Sequence, residues 1–270
     1  MSYLFDMAKL SDSPITAEDL LEFAEADSDF GFEMKVLRQL RADGFACSHS
    51  GTYQDPVTSK IRQFDIRASR ERPGSVLTLA VECKNLRSNN PLLLSAVPRT
   101  QPEAFHDLVL LRPERIGPTV GAIIGNTSAY KPGEMVAKKT DQVCRLAATN
   151  ELNSNDEATF EKLNQAVSSC QDLVRGSANR PLASIKKAIV PVLVVPTGLL
   201  WQVDYNVDGA MSVSPRQISR AALFRDHTWL VPGAYGETHP YRLSHIEVVT
   251  LGAVAEAIES WLGPEGFFPP

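Results

Sequence analysis

The sequence predicts an α/β chain, and three of its features do so. Apolar, β-branched runs recur at 76–85, 187–195 and 244–251, each of strand length and bounded by turn residues. Segments with helical apolar spacing, 29–42 and 156–175, lie between and before them. The chain is 270 residues long with 43% hydrophobic content, enough to fill one large core. The opening helix–strand–turn–strand order fits an α+β fold as well as α/β. No internal repeat, low-complexity tract or clean linker is visible, so residues 1–270 are expected to form a single domain.

Residues 17–26 (AEDLLEFAEA) read as a short helix with Thr16 as N-cap and acidic residues in its first turn. Residues 29–42 (DFGFEMKVLRQLRA) continue as an amphipathic helix ended by Asp43 and Gly44. The stretch SHSGTYQDPVTSK is turn-rich, with Gly51, Thr52 and Tyr53 forming either a simple turn or a substrate-contacting loop. IRQFDIRAS is a strand by alternation, RERPGS a turn, and VLTLAVECKN the next strand. Residues 86–135 hold six prolines (91, 98, 102, 113, 118, 132) around one apolar run, TVGAIIG, and are expected to be a loop-rich insertion carrying one strand. KKTDQVCRLAA and 156–175 are expected helices, the second with an apolar stripe of Phe160, Leu163, Val167, Cys170 and Val174. KAIVPVLVVPTG reads as a buried strand, with LLWQVDYNVDG as its hairpin neighbour turned at Asp208 and Gly209. SHIEVVTL and GAVAEAIESWL close the chain as a C-terminal strand and helix.

Composition excludes several classes. No run of about 18 apolar residues exists and the N-terminus lacks a basic segment followed by an apolar one, so neither a membrane span nor a secretory leader is indicated. A cytoplasmic location is the expectation. Cys47, Cys83, Cys144 and Cys170 are scattered, without a C-x-x-C pair or a zinc-spaced histidine. His49, His106, His227, His239 and His245 are scattered too, and read as surface or internally satisfied residues. A net charge of −5 argues against a broad nucleic-acid-coating surface. It leaves room for the local strip Lys60, Arg62, Arg67, Arg70 and Arg72, which reads either as a phosphate contact or as a solvated hairpin edge. The chain has no phosphate-loop signature, nucleophile elbow or H-E-x-x-H.

The chemistry is concentrated in the hairpin. Strand alternation puts Leu77, Leu79, Val81 and Cys83 on one face, and Thr78, Ala80, Glu82 and Lys84 on the other. The preceding strand divides likewise, with Gln63, Asp65, Arg67 and Ser69 sharing a face, so pairing would bring Asp65 beside Glu82 and Lys84. On the helix of residues 29–42, Glu33 falls inside the apolar arc of Val36, Leu37 and Leu40, where an unpaired charge is costly. It should point at a cation, a metal or a polar cleft. Two carboxylates and a lysine are what metal-assisted phosphodiester hydrolysis requires, the hard oxygens holding Mg²⁺ and the ammonium stabilising developing charge. Between them, Cys83 offers a metal only its backbone carbonyl, because its side chain faces the other way.

Asp65, sixteen residues, then Glu82-Cys83-Lys84, preceded by a helical Glu33, resembles the PD-(D/E)XK restriction-endonuclease-like superfamily of metal-dependent nucleases. The resemblance covers residues 29–85 well and runs more loosely to about 205. Phe64 stands where the family's motif has proline. The likeness implies a restriction-endonuclease-like mixed β-sheet flanked by helices, with Asp65 and Glu82 as metal ligands, Lys84 as catalytic lysine and Glu33 as an auxiliary acid ordering metal-bound water. It implies Mg²⁺ with Mn²⁺ as substitute, and nucleic acid, with DNA as the expected class, as substrate. Such sheets commonly dimerise, so a homodimer or a partner protein is a further expectation. Related nucleases often place a glutamine or lysine where Gln165 lies. Lys138 and Lys139, at the start of an expected helix, could hold a phosphate. The alternatives are an inactive nucleic-acid-binding or partner subunit of this fold, as in a defence system, and an unrelated α/β interaction protein in which the facing pattern is accidental.

Overall fold

Thr16 caps the first helix, α1 (Ala17–Glu22), accepting from the Asp19 N–H at 3.2 Å while its own N–H donates to the Asp19 carboxylate. Ser28 caps α2 (Asp29–Ala42), which stops where Gly44 takes a positive φ of 81°. The computed structural model describes residues 12–111, 120–176, 184–232 and 237–269. Strands β1 (Ala46–His49), β2 (Thr52–Gln54) and β3 (Ile61–Gln63) lead into the hairpin β4 (Ile66–Arg72) and β5 (Ser75–Cys83). Next come β6 (Leu92–Pro98), β7 (His106–Leu111), β8 (Val120–Asn126), β9 (Met135–Arg145) and β10 (Leu152–Ser154). Helix α3 (Glu157–Arg175) is followed by β11 (Ile185–Val195), β12 (Leu200–Tyr205), β13 (Met211–Gln217), β14 (Arg220–Pro232), β15 (Thr238–Thr250) and α4 (Val254–Leu262).

The architecture is α/β, a large mixed sheet flanked by helices. Its main path runs β1-β4-β5-β11-β15-β14-β9-β6-β12-β13, with β7 and β8 branching from β11 and β10 from β9. At the centre β5, β11 and β15 are parallel, and their apolar runs are buried on both faces. On one face Ile66, Leu79, Val81 and Val192 pack with Val36 and Leu40 of α2 and with Ile258 and Trp261 of α4. On the other, Ala80, Ile189 and Leu193 pack with Leu163, Val167, Cys170 and Val174 of α3. Truncating a fully buried residue such as Leu163 to alanine would cost about 2–5 kcal/mol. Among the described residues no helix is long and apolar enough to cross a membrane.

Several expectations give way. Residues 138–148 do not form a helix: Lys138 and Lys139 lie inside β9, whose pairing with β6, β10 and β14 outweighs the local spacing. The 86–135 segment is not a loop-rich flap carrying one strand but contributes β6, β7 and β8, residues 112–119 lying outside the described ones. Its Leu92-Leu93-Leu94 run belongs to a strand paired on both sides. Residues 200–205 do not pair with β11, because both edges of that strand are taken by β5 and, at its two ends, by β7 and β15. Instead β12 pairs with β6 and turns at Asp208 and Gly209 into β13. Phe160 leaves the apolar stripe and is 54% exposed.

Candidate functional site

The β4–β5 hairpin turns at Pro73-Gly74, with Gly74 at φ 73°, the conformation a proline-then-glycine turn uses. Its register pairs Ile66 with Val81, so the next position outward sets Asp65 against Glu82, as the alternation predicts. The expected single strand 61–69 is interrupted at Phe64 and Asp65, where the chain passes from β3 into β4. There the Cys83 N–H donates to Asp65 Oδ2 at 2.8 Å and fixes the carboxylate over the end of β5. The Cys83 side chain itself is buried on the α2 face, and burial pushes its thiol well above the ordinary range.

The ammonium that meets the two acids comes from α3. Lys162 Nζ donates to Asp65 Oδ2 at 2.6 Å and to Glu82 Oε2 at 3.3 Å. Lys84, expected in that place, lies one residue beyond the end of β5 and puts its ammonium 3.8 Å from Asp29 Oδ2. Asp29 also accepts from the Asn85 N–H, while the Lys84 N–H still donates to the Val194 carbonyl of β11. Burial, then the charge of Asp65, raises the Glu82 carboxyl well above its usual range. Burial works against the charge of Lys162, but Glu82 and Asp65 outweigh it and hold the ammonium above its ordinary value.

Glu33 arrives from α2, buried within the apolar arc as its spacing predicts, and hydrogen-bonds His49 Nε2 at 3.0 Å. Burial and then the nearby Asp65 raise its carboxyl, with the bond to His49 opposing. Glu33, Asp65, Lys162, Arg62 and Gln165 line one cleft of about 480 Å³. Glu82 lies behind Lys162 and is 1% exposed, with Oε1 buried and without a hydrogen-bond partner. That orphaned oxygen beside a second carboxylate fits a hard divalent cation, which takes one or two protein carboxylates and keeps several waters. Among the described residues no three His, Cys, Asp or Glu side chains converge as a ready-made metal cage, so any ion here rests on Asp65 and Glu82 with help from the backbone.

The weaker candidates divide. Gln165 borders the cleft, and its carbonyl accepts from the Tyr53 hydroxyl at 3.4 Å. Arg62 faces the cleft with its Nε bonded to Asp55 at 3.0 Å. The Arg67 guanidinium is held by Asp172 at 2.8 Å and Ser169 at 3.1 Å and lies over the Phe64 and Tyr53 rings. Arg70 and Arg72 likewise turn to Glu259 and to the Leu262 carbonyl near the end of α4. Lys138 pairs with Glu103 and Lys139 with Asp141, so no helix N-terminus presents them to an anion. Gly51 is pressed against the Phe64 ring, where a Cβ would approach Cζ to 2.5 Å.

Sequence reasoning missed Lys162 and His49. A signal for Lys162 was available: Ala166 and Ser169 follow it at helical spacing, and these small residues mark the row that faces the sheet. His49 had none, since only tertiary packing sets β1 beside α2. The chain matches no protein-family model, and no curated protein or solved structure matches it significantly.

Proposed function

We propose that the chain is a metal-dependent nuclease with a restriction-endonuclease-like core, hydrolysing phosphodiester bonds in nucleic acid, DNA in the first instance. The observation that carries this reading is the meeting of Asp65 and Glu82 at a strand end, with an unpartnered buried carboxylate oxygen, an ammonium and a third acid around them. Asp65 and Glu82, with the Cys83 carbonyl, would hold Mg²⁺ or Mn²⁺. Such an ion supplies charge neutralisation at the scissile phosphate and acidifies water. Glu33, which lines the cleft with its carboxyl raised by burial and held by His49, takes the proton of the attacking water. Lys162 donates to the phosphate oxygens on which negative charge builds, a role the family resemblance implies for Lys84.

A second reading is favoured by one specific contact. Lys162 bridges the two carboxylates and compensates them without an ion, as a catalytically silent nucleic-acid-binding or partner subunit of the same fold would. Cleavage of supercoiled plasmid and single-stranded DNA in Mg²⁺, Mn²⁺ or EDTA separates the two, using wild type, Asp65→Asn, Lys162→Ala and Lys84→Ala. The nuclease reading expects metal-dependent cleavage that falls about 100-fold or more in the Asp65 and Lys162 variants. Lys84→Ala should stay nearer wild type. No cleavage with either ion overturns it and leaves the silent subunit.

A further inference from the structure

Resting on that reading, the surroundings of the cleft narrow the substrate. Three large apolar side chains stand exposed at its rim: Phe30, 58% exposed and one helical turn before Glu33; Ile61, 71% exposed on β3; and Phe160, 54% exposed, two residues before Lys162. Phe30 and Ile61 line the cleft that holds Asp65. Phe160 lines a neighbouring depression of about 350 Å³ that shares Arg62 and Gln165 with it. Arg225, in no ion pair among the described residues, holds its guanidinium 6.0 Å from the Phe160 ring. Exposed apolar side chains occur elsewhere on this chain as well, but here two aromatic rings, one beside His49 and one beside Arg225, border the cleft that holds the acids and Lys162.

Four of the five cations of the hairpin strip, all but Lys60, are bound within the protein. Arg67, Arg70 and Arg72 are bound within the protein, Arg62 is tied to Asp55, and the net charge is −5. Duplex binding is dominated by phosphate neutralisation, and base faces inside a duplex are not available to a ring. Single strands offer both an accessible backbone and free base faces, which stack on exposed aromatic side chains whatever their sequence. We infer that the substrate is single-stranded nucleic acid, or an unpaired segment of a duplex, whose bases stack on Phe30 and Phe160 on either side of the phosphate held at the acid–lysine centre, with Arg225 on the backbone beside Phe160.

The test is binding by fluorescence anisotropy with the full chain, in EDTA and in Ca²⁺. The probes are oligothymidylate and oligouridylate of about 20 nucleotides, an abasic strand of equal length and a blunt duplex. The inference expects tight binding to at least one oligonucleotide, with the abasic strand and the duplex each bound at least about tenfold more weakly. Comparing the two oligonucleotides assigns DNA or RNA. Phe30→Ala and Phe160→Ala should each weaken strand binding about fivefold or more, at the low end of what one stacked base contributes, and Phe30→Trp should restore it. Equal affinity for the abasic strand, or wild-type binding by both alanine variants, overturns the inference. Metal-dependent cleavage of duplex at least as fast as of single strands overturns it too, while leaving the nuclease standing. Loss of all cleavage alongside intact strand binding would instead remove the nuclease and keep the stacking surface.

Discussion

Replacing Lys162 with methionine keeps the aliphatic stem and removes the charge that bridges Asp65 and Glu82. The three side chains are 17%, 10% and 1% exposed, so little water is at hand to replace the ammonium. Breaking a buried pair of this kind costs about 3–5 kcal/mol; because Lys162 borders an open cleft, the lower end, about 3 kcal/mol near pH 8, is expected. The cost has a defined pH dependence. The folded carboxyl of Glu82 already binds its proton more tightly than the unfolded one, so its contribution to stability is present in full below about 4.5 and is lost as pH rises through the raised folded value. Lys162 lowers that value, so its removal moves the loss to higher pH and deepens it. The deficit relative to wild type should therefore shrink toward about pH 5. Urea unfolding at both pH values reads it directly. Added Mg²⁺ should return part of the loss at the higher pH, about 2.7 kcal/mol at a concentration 100 times its dissociation constant. A deficit below about 1 kcal/mol, or one equal at both pH values, would refute the buried-charge reasoning, since that range is what an exposed pair contributes.

Two other substitutions test the frame around the site. Gly51→Ala forces a Cβ to 2.5 Å from Phe64 Cζ, and Phe64 directly precedes Asp65; a loss of about 1–3 kcal/mol is expected, partly recovered by Phe64→Leu, whereas an unchanged urea midpoint would show that the ring gives way freely. His106 is fully buried with neither ring nitrogen hydrogen-bonded, and burial lowers its imidazolium to about 3; His245, buried and beside Arg99, falls to about 2. Both fold as neutral rings, so stability is lost as pH falls from about 6.5 toward the folded values, each contributing up to about 1.4 kcal/mol per pH unit. His106→Phe should flatten that decline in an acid titration followed by circular dichroism, and an unaltered slope would rule His106 out as its source.

The residues that were legible in advance are those whose local pattern and tertiary setting agree. Alternation placed Asp65 against Glu82, and the helical arc carried Glu33 inward, because a period of two or of 3.6 dictates facing before any partner is chosen. Val36, Leu163 and the run at 189–195 declared themselves core for the same reason. Continuity beyond an element's end and the choice of partner strand were not legible. The Lys84 ammonium turns to Asp29, and Lys162, 80 residues after Glu82, supplies the ammonium that meets the acids. Residues 138–148 have spacing that suits a helix, yet β6 and β10 offer backbone partners to residues 139–145. The sequence by itself determined the α/β class, the hairpin with Asp65 facing Glu82, and the inward facing of Glu33 on α2. Only tertiary structure decided which lysine reaches them, that His49 holds Glu33, and that the arginines of the hairpin are bound within the protein, because each of those facts depends on segments far apart in sequence meeting across the sheet.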